Sequence, residues 1–431
     1  MNLMNKRAEK TTVALDSLGC KLNQAEIQQL AGQLTAAGYR IVSPEEKADI
    51  YILNTCTVTH VADRKSRHLL NMARRRNPAA RLVAMGCYAE REPQALSRIE
   101  GVEIVLGNAQ KWRLPELLES GTSPSPSPLS PSLSKERTRA FIKMQDGCRN
   151  FCAYCIVPLV RSRESSVPVA EVLAQVKERV AAGFKEVVLT GTEIGAYESD
   201  GVTLKELLER ILTETDIARL RLSSLQPHHI TPELLALWKN PRLCPHFHLS
   251  LQSGSDTVLK RMKRRYTAAD YQRALAAIRA SIPGAAITTD VIVGFPGESD
   301  TEFQETFTFC LQMQFARIHV FPYSPRPGTA AAAMPEQVTE PLKKERSRQM
   351  LALAKESAQA FQKKFIGKTL EVLWEQQVNG AWSGLAGNYI KVYAKSTGDL
   401  ANQLVPVKLT KIYRDGLWGE ISKTMTDSIS P

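Results

Sequence analysis

Three cysteines fall within eight residues at Cys148, Cys152 and Cys155, in the stretch DGCRNFCAYCI. Thiolates at this spacing can hold an iron-sulfur cluster, one ligand short of the four cysteines that an electron-transfer cluster takes. An iron with an open position can chelate a small molecule, so the spacing points to chemistry. Zinc is the alternative, because thiolates two to four residues apart are common in its sites. Structural zinc needs a fourth ligand, however, and Ile156 to Ser166 contains no Cys, His or Asp. A redox CxxC would leave Cys148 without a role, and a disulfide is disfavoured in a cytosolic chain.

A second set of cysteines is dispersed. Cys20 in LGCKLNQAE, Cys56 in NTCTVT and Cys87 in MGCYAE each follow a short apolar run: Val13 to Leu15, Ile50 to Leu53 and Leu82 to Met85. A fourth run spans Glu103 to Leu106, and helical patterns over Ala25 to Ala37 and Ala62 to Arg76 lie between the runs. The alternation predicts a parallel α/β sheet. Ligands of such a sheet sit outside the carboxyl ends of its strands, so the fold would bring these three cysteines to one edge. Free cysteines also serve as small core residues. Three of three at strand ends, beside Gly19, Asn54 and Gly86, favour a ligand triad and hence a second cluster with a free iron. Cys244 and Cys310 have no motif and read as structural.

The chain of 431 residues is long enough for two or three domains. It contains no apolar run of membrane-spanning length, and its start lacks a signal peptide's apolar stretch. The expectation is a soluble, cytoplasmic protein with reduced thiols. A formal net charge of +12 and a pI near 9.3 point to a polyanionic partner, nucleic acid ahead of a membrane surface. Alternating Ser and Pro across residues 121–136 read as an extended linker.

Six strand-like runs follow, beginning near Arg139, Glu186, Arg219, His246, Ile287 and Ala316, with amphipathic helices such as Val169 to Ala182 and Ala268 to Arg279 between them. This predicts a partial or complete (β/α) barrel with its active site at the C-terminal mouth. The Cys148 loop follows the first strand, Gly191-Thr192-Glu193 the second, Gln252-Ser253-Gly254 the fourth and Gly294 to Ser299 the fifth. His246 and His248 share a strand face, where they are metal ligands or, more in keeping with period-two spacing, barrel-lining side chains. Thr339 to Phe365 reads as a charged helix whose lysines and arginines face phosphates or solvent. Beyond Gly367, short alternating strands predict a five-stranded barrel carrying Lys391, Lys395, Lys408 and Lys411, a format used for oligonucleotides. Its Trp374, Trp382, Tyr389 and Trp418 would stack bases or pack the core.

CxxxCxxC at the first loop of such a barrel resembles the radical S-adenosylmethionine (SAM) superfamily. LGCKLNQAE, NTCTVT, DRKSR, GCYAE, CIVPLVRSR and YSPRPGT, in this order, resemble its methylthiotransferase family over nearly the whole chain. The resemblance implies an N-terminal methylthiotransferase domain (10–120), a radical SAM barrel (137–365) and a C-terminal TRAM domain (366–424). It implies that Cys148, Cys152 and Cys155 ligate a [4Fe-4S] cluster whose fourth iron is chelated by SAM, and that Cys20, Cys56 and Cys87 ligate an auxiliary [4Fe-4S] cluster carrying the sulfur to be inserted. Tyr154 would lie beside adenine, Gly191, Thr192 and Glu193 near the amino group of SAM, and Gln252, Ile292 and Gly294 near its ribose and adenine. The implied reaction is radical insertion of a methylthio group. Substrates within the family are N6-isopentenyladenosine or N6-threonylcarbamoyladenosine at tRNA position 37, or a ribosomal-protein aspartate. GC-K-x-NQ-x-E with NTCTVT is most similar to the threonylcarbamoyladenosine branch. The partners implied are the tRNA anticodon loop, a reductant such as flavodoxin or ferredoxin, and a sulfur donor. A non-catalytic iron-sulfur RNA-binding protein is the reading of another class. Arg64, Lys65 and Arg67 on the basic helix that runs to Arg74, Arg75 and Arg76, with Arg161, Arg163, Lys391 and Lys408, are the candidate phosphate contacts. After Pro158 the family pattern R-G-x-x-R-S is replaced by RSRESS, so no substrate contact is carried onto Ser162 or Ser165.

Overall fold

The computed structural model describes residues 11–119, 138–161 and 163–421. The Ser/Pro stretch expected as a linker and Ser162 lie outside the described residues. The chain divides into two units: Met1–Lys135 with Gly147–Arg149 and Cys155–Glu164, and Glu136–Asp146 with Asn150–Tyr154 and Ser165–Pro431.

In the first unit five parallel strands lie in the order Arg40–Val42, Thr12–Ser17, Ile50–Thr55, Arg81–Gly86, Val102–Leu106. The order reverses between Thr12–Ser17 and Ile50–Thr55, which makes their carboxyl ends the binding position of such sheets. Ile50–Thr55 is buried throughout, as a strand covered on both faces must be. Ile27, Leu30 and Leu34 of helix Lys21–Ala36 pack on Val13, Ile52 and Val83. The basic helix runs from His60 to Arg76, two residues earlier than its apolar pattern predicts, because Thr59 caps it by accepting from Ala62 N–H at 3.1 Å. Arg40–Val42 escaped the strand pattern because it is a three-residue edge.

The second unit holds strands Arg139–Lys143, Glu186–Thr190 and Arg219–Leu222 in one parallel sheet, and Ser224–Leu225, His246–Leu249, Ala286–Val293 and Arg317–Pro322 in another. The segment from Arg219 to Leu225 belongs to both, so six parallel strands run in series. Arg139–Lys143 and Arg317–Pro322 end the series without pairing to each other among the described residues, which makes the barrel partial. Leu189, Leu220, Phe247, Leu249, Ile287 and Val291 face the surrounding helices in one apolar core.

The C-terminal strands Thr369–Val378, Ala381–Ala386, Lys391–Ala394, Gly416–Ile421 and Leu404–Tyr413 close into a barrel in that order. It sits against the N-terminal ends of the six-strand series. Arg221 and Glu186, both fully buried, pair at 2.7 Å, and Arg221 also donates to Gly387 O at 2.8 Å. Arg219 donates to Leu385 O at 3.1 Å, and Arg139 to Glu375 at 2.9 Å. Removing one partner of a buried pair such as Arg221–Glu186 costs about 3–5 kcal/mol, so this end is built as a joint. Trp374 and Trp382 are buried in the small barrel's core and cannot stack bases. Tyr389 lies against His246, with ring centroids 4.6 Å apart, and beneath Arg221. Trp418 alone of the four aromatics keeps an intermediate exposure without lying in that core or on that joint.

Candidate functional site

The first unit gathers its three cysteines as the strand order requires. Cys20 caps helix Lys21–Ala36, Cys56 follows Ile50–Thr55, and Cys87 opens helix Cys87–Arg91 directly after Arg81–Gly86. Gly19 has φ +98°, and a Cβ there would stand 2.6 Å from Cys56 Sγ, so both the turn and the close approach require glycine. Cys56 and Cys87 are buried while Cys20 is exposed, which leaves the triad approachable from one side. Burial, and then the neighbouring Cys20 and Cys87 thiols, push the Cys56 thiol up to about 12. A metal binding there must displace protons.

Beneath the thiols lies a buried charge cluster. Arg161 donates from Nε to Cys87 Sγ at 3.3 Å, from Nη1 to Glu26 at 2.9 Å and from Nη2 to Asn23 Oδ1 at 3.0 Å. Lys111 pairs with the same Glu26, and Asn108 donates to Cys87 Sγ at 3.6 Å. Glu26, Lys111 and Arg161 are 0%, 1% and 5% exposed. Glu26, Lys111 and Arg161 share this nearly water-free site, where burying each ion costs several kcal/mol unless opposite charge lies close. Thiolates binding metal add that charge. Arg161 was expected among the phosphate contacts and is corrected here: its guanidinium is held inside the first unit by Glu26, Asn23 and Cys87.

The triad fits a cluster better than a single ion. Tetrahedral zinc with Zn–S near 2.3 Å brings its sulfurs to about 3.8 Å of one another. Among the described residues, the groups of three ligand atoms lying within 4.8 Å of one another are Glu193, His228, His229 and His248, Asp290, His319; the Cys20, Cys56, Cys87 set is not one of them. Thiols spaced more widely suit separate irons, and soft sulfur donors suit iron-sulfur clusters.

In the second unit, Cys152 Sγ accepts a hydrogen bond from Arg264 Nη1 at 3.2 Å. Arg264 also reaches Tyr266 Oη at 2.9 Å and Gln226 Oε1 at 3.4 Å, and Gln226 donates to Glu193. A continuous polar chain thus runs from the sulfur to Glu193. The Glu193 carboxylate also accepts from Asn150, and its N–H donates to Gln145 Oε1 at 2.8 Å. His229 stands 3.9 Å from Glu193; burial, then His228, lowers its pKa to about 4, so it is neutral near pH 7. Gly191 passes so close to Gln145 that a Cβ would meet its carbonyl at 2.8 Å, and Thr192 is half-buried beside it. Tyr154 packs with Ala153, Ile292 and Phe295. Gln252, at φ 71°, exchanges backbone hydrogen bonds with Asp290 and Ile292, while Gly294 N–H donates to Glu298 at 2.6 Å.

Sequence reasoning missed Glu26, Lys111, Asn108, Gln226 and Arg264. Glu26 and Asn23 carried a signal: in CKLNQAE they fall on one helical face with Cys20. Arg264 in RMKRRYT had none to set it apart from a solvated basic run. Of the candidate phosphate contacts, Arg64, Lys65, Arg67, Arg163 and Lys408 are exposed, Arg67 bonding Tyr88 Oη at 2.6 Å. Lys391 is half-buried and pairs with Asp415 at 3.2 Å.

Two family models match the chain: the radical SAM superfamily over residues 142–310 and the uncharacterized protein family UPF0004 over residues 12–107. The threonylcarbamoyladenosine tRNA methylthiotransferase MtaB of Bacillus subtilis is 36% identical, covering 97% of this chain and 98% of its own. MtaB of Aquifex aeolicus is 40% identical over 84% of this chain and 92% of its own. The tRNA-2-methylthio-N(6)-dimethylallyladenosine synthase of Clostridium tetani is 32% identical over 96% of each. Among solved structures, the radical SAM methyltransferase TsrM from Kitasatospora setae, with cobalamin and a [4Fe-4S] cluster bound, shares the fold at TM-score 0.52 and 16% identity, covering 75% of this chain and 77% of its own. With a converging cysteine triad, a CxxxCxxC loop and relatives aligned from end to end, the chain belongs to the radical SAM methylthiotransferase family.

Proposed function

We infer that this protein adds a methylthio group to C2 of N6-threonylcarbamoyladenosine at position 37 of tRNA. The observation that carries the reading is the second cysteine set: Cys20, Cys56 and Cys87 converge over a buried ion cluster of Arg161, Glu26 and Lys111, which a radical SAM enzyme using the CxxxCxxC loop alone would not need. Relatives named for the threonylcarbamoyl substrate are 36–40% identical, against 31–34% for those named for the dimethylallyl substrate.

In this reading Cys148, Cys152 and Cys155 hold one [4Fe-4S] cluster with SAM, and Cys20, Cys56 and Cys87 hold the other. Bound there, the clusters and SAM supply reductive cleavage of a sulfonium, hydrogen abstraction from carbon and the methylthio group, chemistry that side chains cannot perform. The protein's own groups bind and orient. Glu193, held by Asn150 and Gln226, takes an ammonium. Tyr154 and Ile292 form an apolar wall suited to a purine face. Arg264 holds the Cys152 sulfur in place. Arg64, Lys65, Arg67, Arg163 and Lys408 meet phosphates.

The domain limits are residues 10–120, 137–365 and 366–424, with a connector at 121–136. A flavodoxin or ferredoxin delivers electrons, and a separate donor replaces the sulfur. The test is nucleoside mass analysis after incubating reconstituted protein, SAM and a reductant with tRNA carrying N6-threonylcarbamoyladenosine. The expected product is its 2-methylthio derivative; product from N6-dimethylallyladenosine tRNA alone would assign the other substrate.

A further inference from the structure

The inside of the partial barrel is polar where apolar filling is the rule. Phe247, Leu249, Ile287, Val291 and Ile318 face the helices, so period-two alternation turns His246, His248, Thr288, Asp290 and His319 to the opposite, inner face. The register sets His248 beside Thr288 and Asp290 beside His319 on adjacent strands. His248 Nδ1 meets Thr288 Oγ1 at 2.9 Å, and its Nε2 meets Asp290 Oδ2 at 3.2 Å. Ligand atoms of His248, Asp290 and His319 lie within 4.8 Å of one another, and all three residues are half-buried. Below them His246 is nearly buried, bonded to Thr288 at 3.3 Å and stacked on Tyr389, which forms a floor.

The vertical position of this group matters. Asp290 precedes Ile292 by two residues on the same strand face, and its carbonyl accepts from Gln252 N–H at 2.8 Å. The cluster therefore lies one side-chain layer below Gln252 and Ile292, with its unburied surface turned into the lumen. Imidazole N–H groups and a carboxylate together offer both donors and an acceptor. Such a set suits a ligand bearing acceptors and donors of its own, and it penalises an apolar ligand, which would strip water from these groups and return no hydrogen bond.

We propose that His319 and Asp290, braced by His248 and Thr288, form a subsite in the barrel lumen for the hydrogen-bonding N6 side chain of the target adenosine. A ureido, hydroxyl and carboxylate chain satisfies the cluster, whereas a dimethylallyl chain has no polar atom to offer it. The subsite thereby sets the choice between the two kinds of modified adenosine. It rests on the reading of the reaction given above.

The test uses the full-length reconstituted protein and one tRNA prepared with either N6-threonylcarbamoyladenosine or N6-dimethylallyladenosine at position 37. kcat/KM for both is measured on the wild type and on two near-isosteric variants, His319→Leu and Asp290→Asn. Iron content and thermal melting check that each variant is folded. The expected result is a loss of about 100-fold on the threonylcarbamoyl substrate for His319→Leu and about 10-fold for Asp290→Asn, with the dimethylallyl value constant or raised. Two variants that both keep the wild-type substrate ratio would overturn the subsite, as would stoichiometric zinc or cobalt in wild-type protein that His319→Leu lacks. A wild type that turns over the dimethylallyl tRNA alone would instead overturn the reading of the reaction, so the two failures separate.

Discussion

The two cysteine sets reach the same ligand type by opposite routes. Cys148, Cys152 and Cys155 are neighbours in the chain, so a short loop presents them whatever the rest of the fold does. Cys20, Cys56 and Cys87 span 68 positions of sequence and meet because three adjacent parallel strands end on one edge. Each set has an arginine on one of its sulfurs, Arg264 on Cys152 and Arg161 on Cys87. Their settings differ. Arg161 shares a nearly water-free cluster with Glu26 and Lys111, while Arg264 belongs to a chain through Gln226 to Glu193. The Cys20, Cys56, Cys87 set is supported by packed charge and the Cys148, Cys152, Cys155 set by a polar path to the Glu193 carboxylate.

Separating the sets functionally should give the largest effect. Cys148→Ala is expected to abolish formation of 5′-deoxyadenosine under reducing conditions, whereas Cys56→Ala abolishes methylthio product and still permits SAM cleavage. Equal loss of both activities in both variants would break the division of labour. Next in size is the buried charge. Glu26→Gln removes the buried carboxylate that Arg161 and Lys111 share, and denaturant unfolding of the first unit should show a loss of about 3–5 kcal/mol. A loss under 1 kcal/mol would mean that water reaches the cluster.

Smaller effects should separate the two arginines. Replacing Arg264 or Arg161 by Met removes a cation and a hydrogen bond from a sulfur, which stabilises the oxidised form relative to the reduced one. Each tenfold change in that equilibrium lowers the potential by about 59 mV for a one-electron couple. In redox titrations followed by electron paramagnetic resonance, Arg264→Met should shift the signal of the Cys148 loop and Arg161→Met that of the other set. Shifts of both signals by either variant would erase the distinction. The smallest expected effect is on RNA affinity: Lys65→Ala should weaken tRNA binding uniformly across sequences and reduce the slope of log K against log salt by about 1.

The strand ends, the loop and the closed C-terminal barrel were legible because each leaves a periodic or spaced trace. Cys56 could be assigned to an edge from the run before it alone. Strand Ala381–Ala386 is buried along its length, yet Ser383 and Gly384 dilute its apolar pattern. Lys111 and Arg264 were illegible for another reason: a buried, paired cation has the same letter as a solvated one, and its partner is distant in sequence. Arg161 shows the cost of that ambiguity, since a basic residue near a substrate motif reads as a phosphate contact until Glu26 and Asn23 are seen to enclose it. The lumen cluster was half visible. His246 and His248 marked a face, but Asp290 and His319 joined them through a strand register that no single run encodes.

The central claim is that the chain holds two independent cysteine sites. It is tested most directly by iron and sulfide analysis of the reconstituted variant in which Cys148, Cys152 and Cys155 are all alanine. Retention of about four iron and four sulfide per chain, with the spectrum of a [4Fe-4S] cluster, is the predicted result. A variant that is folded and holds no iron would contradict it.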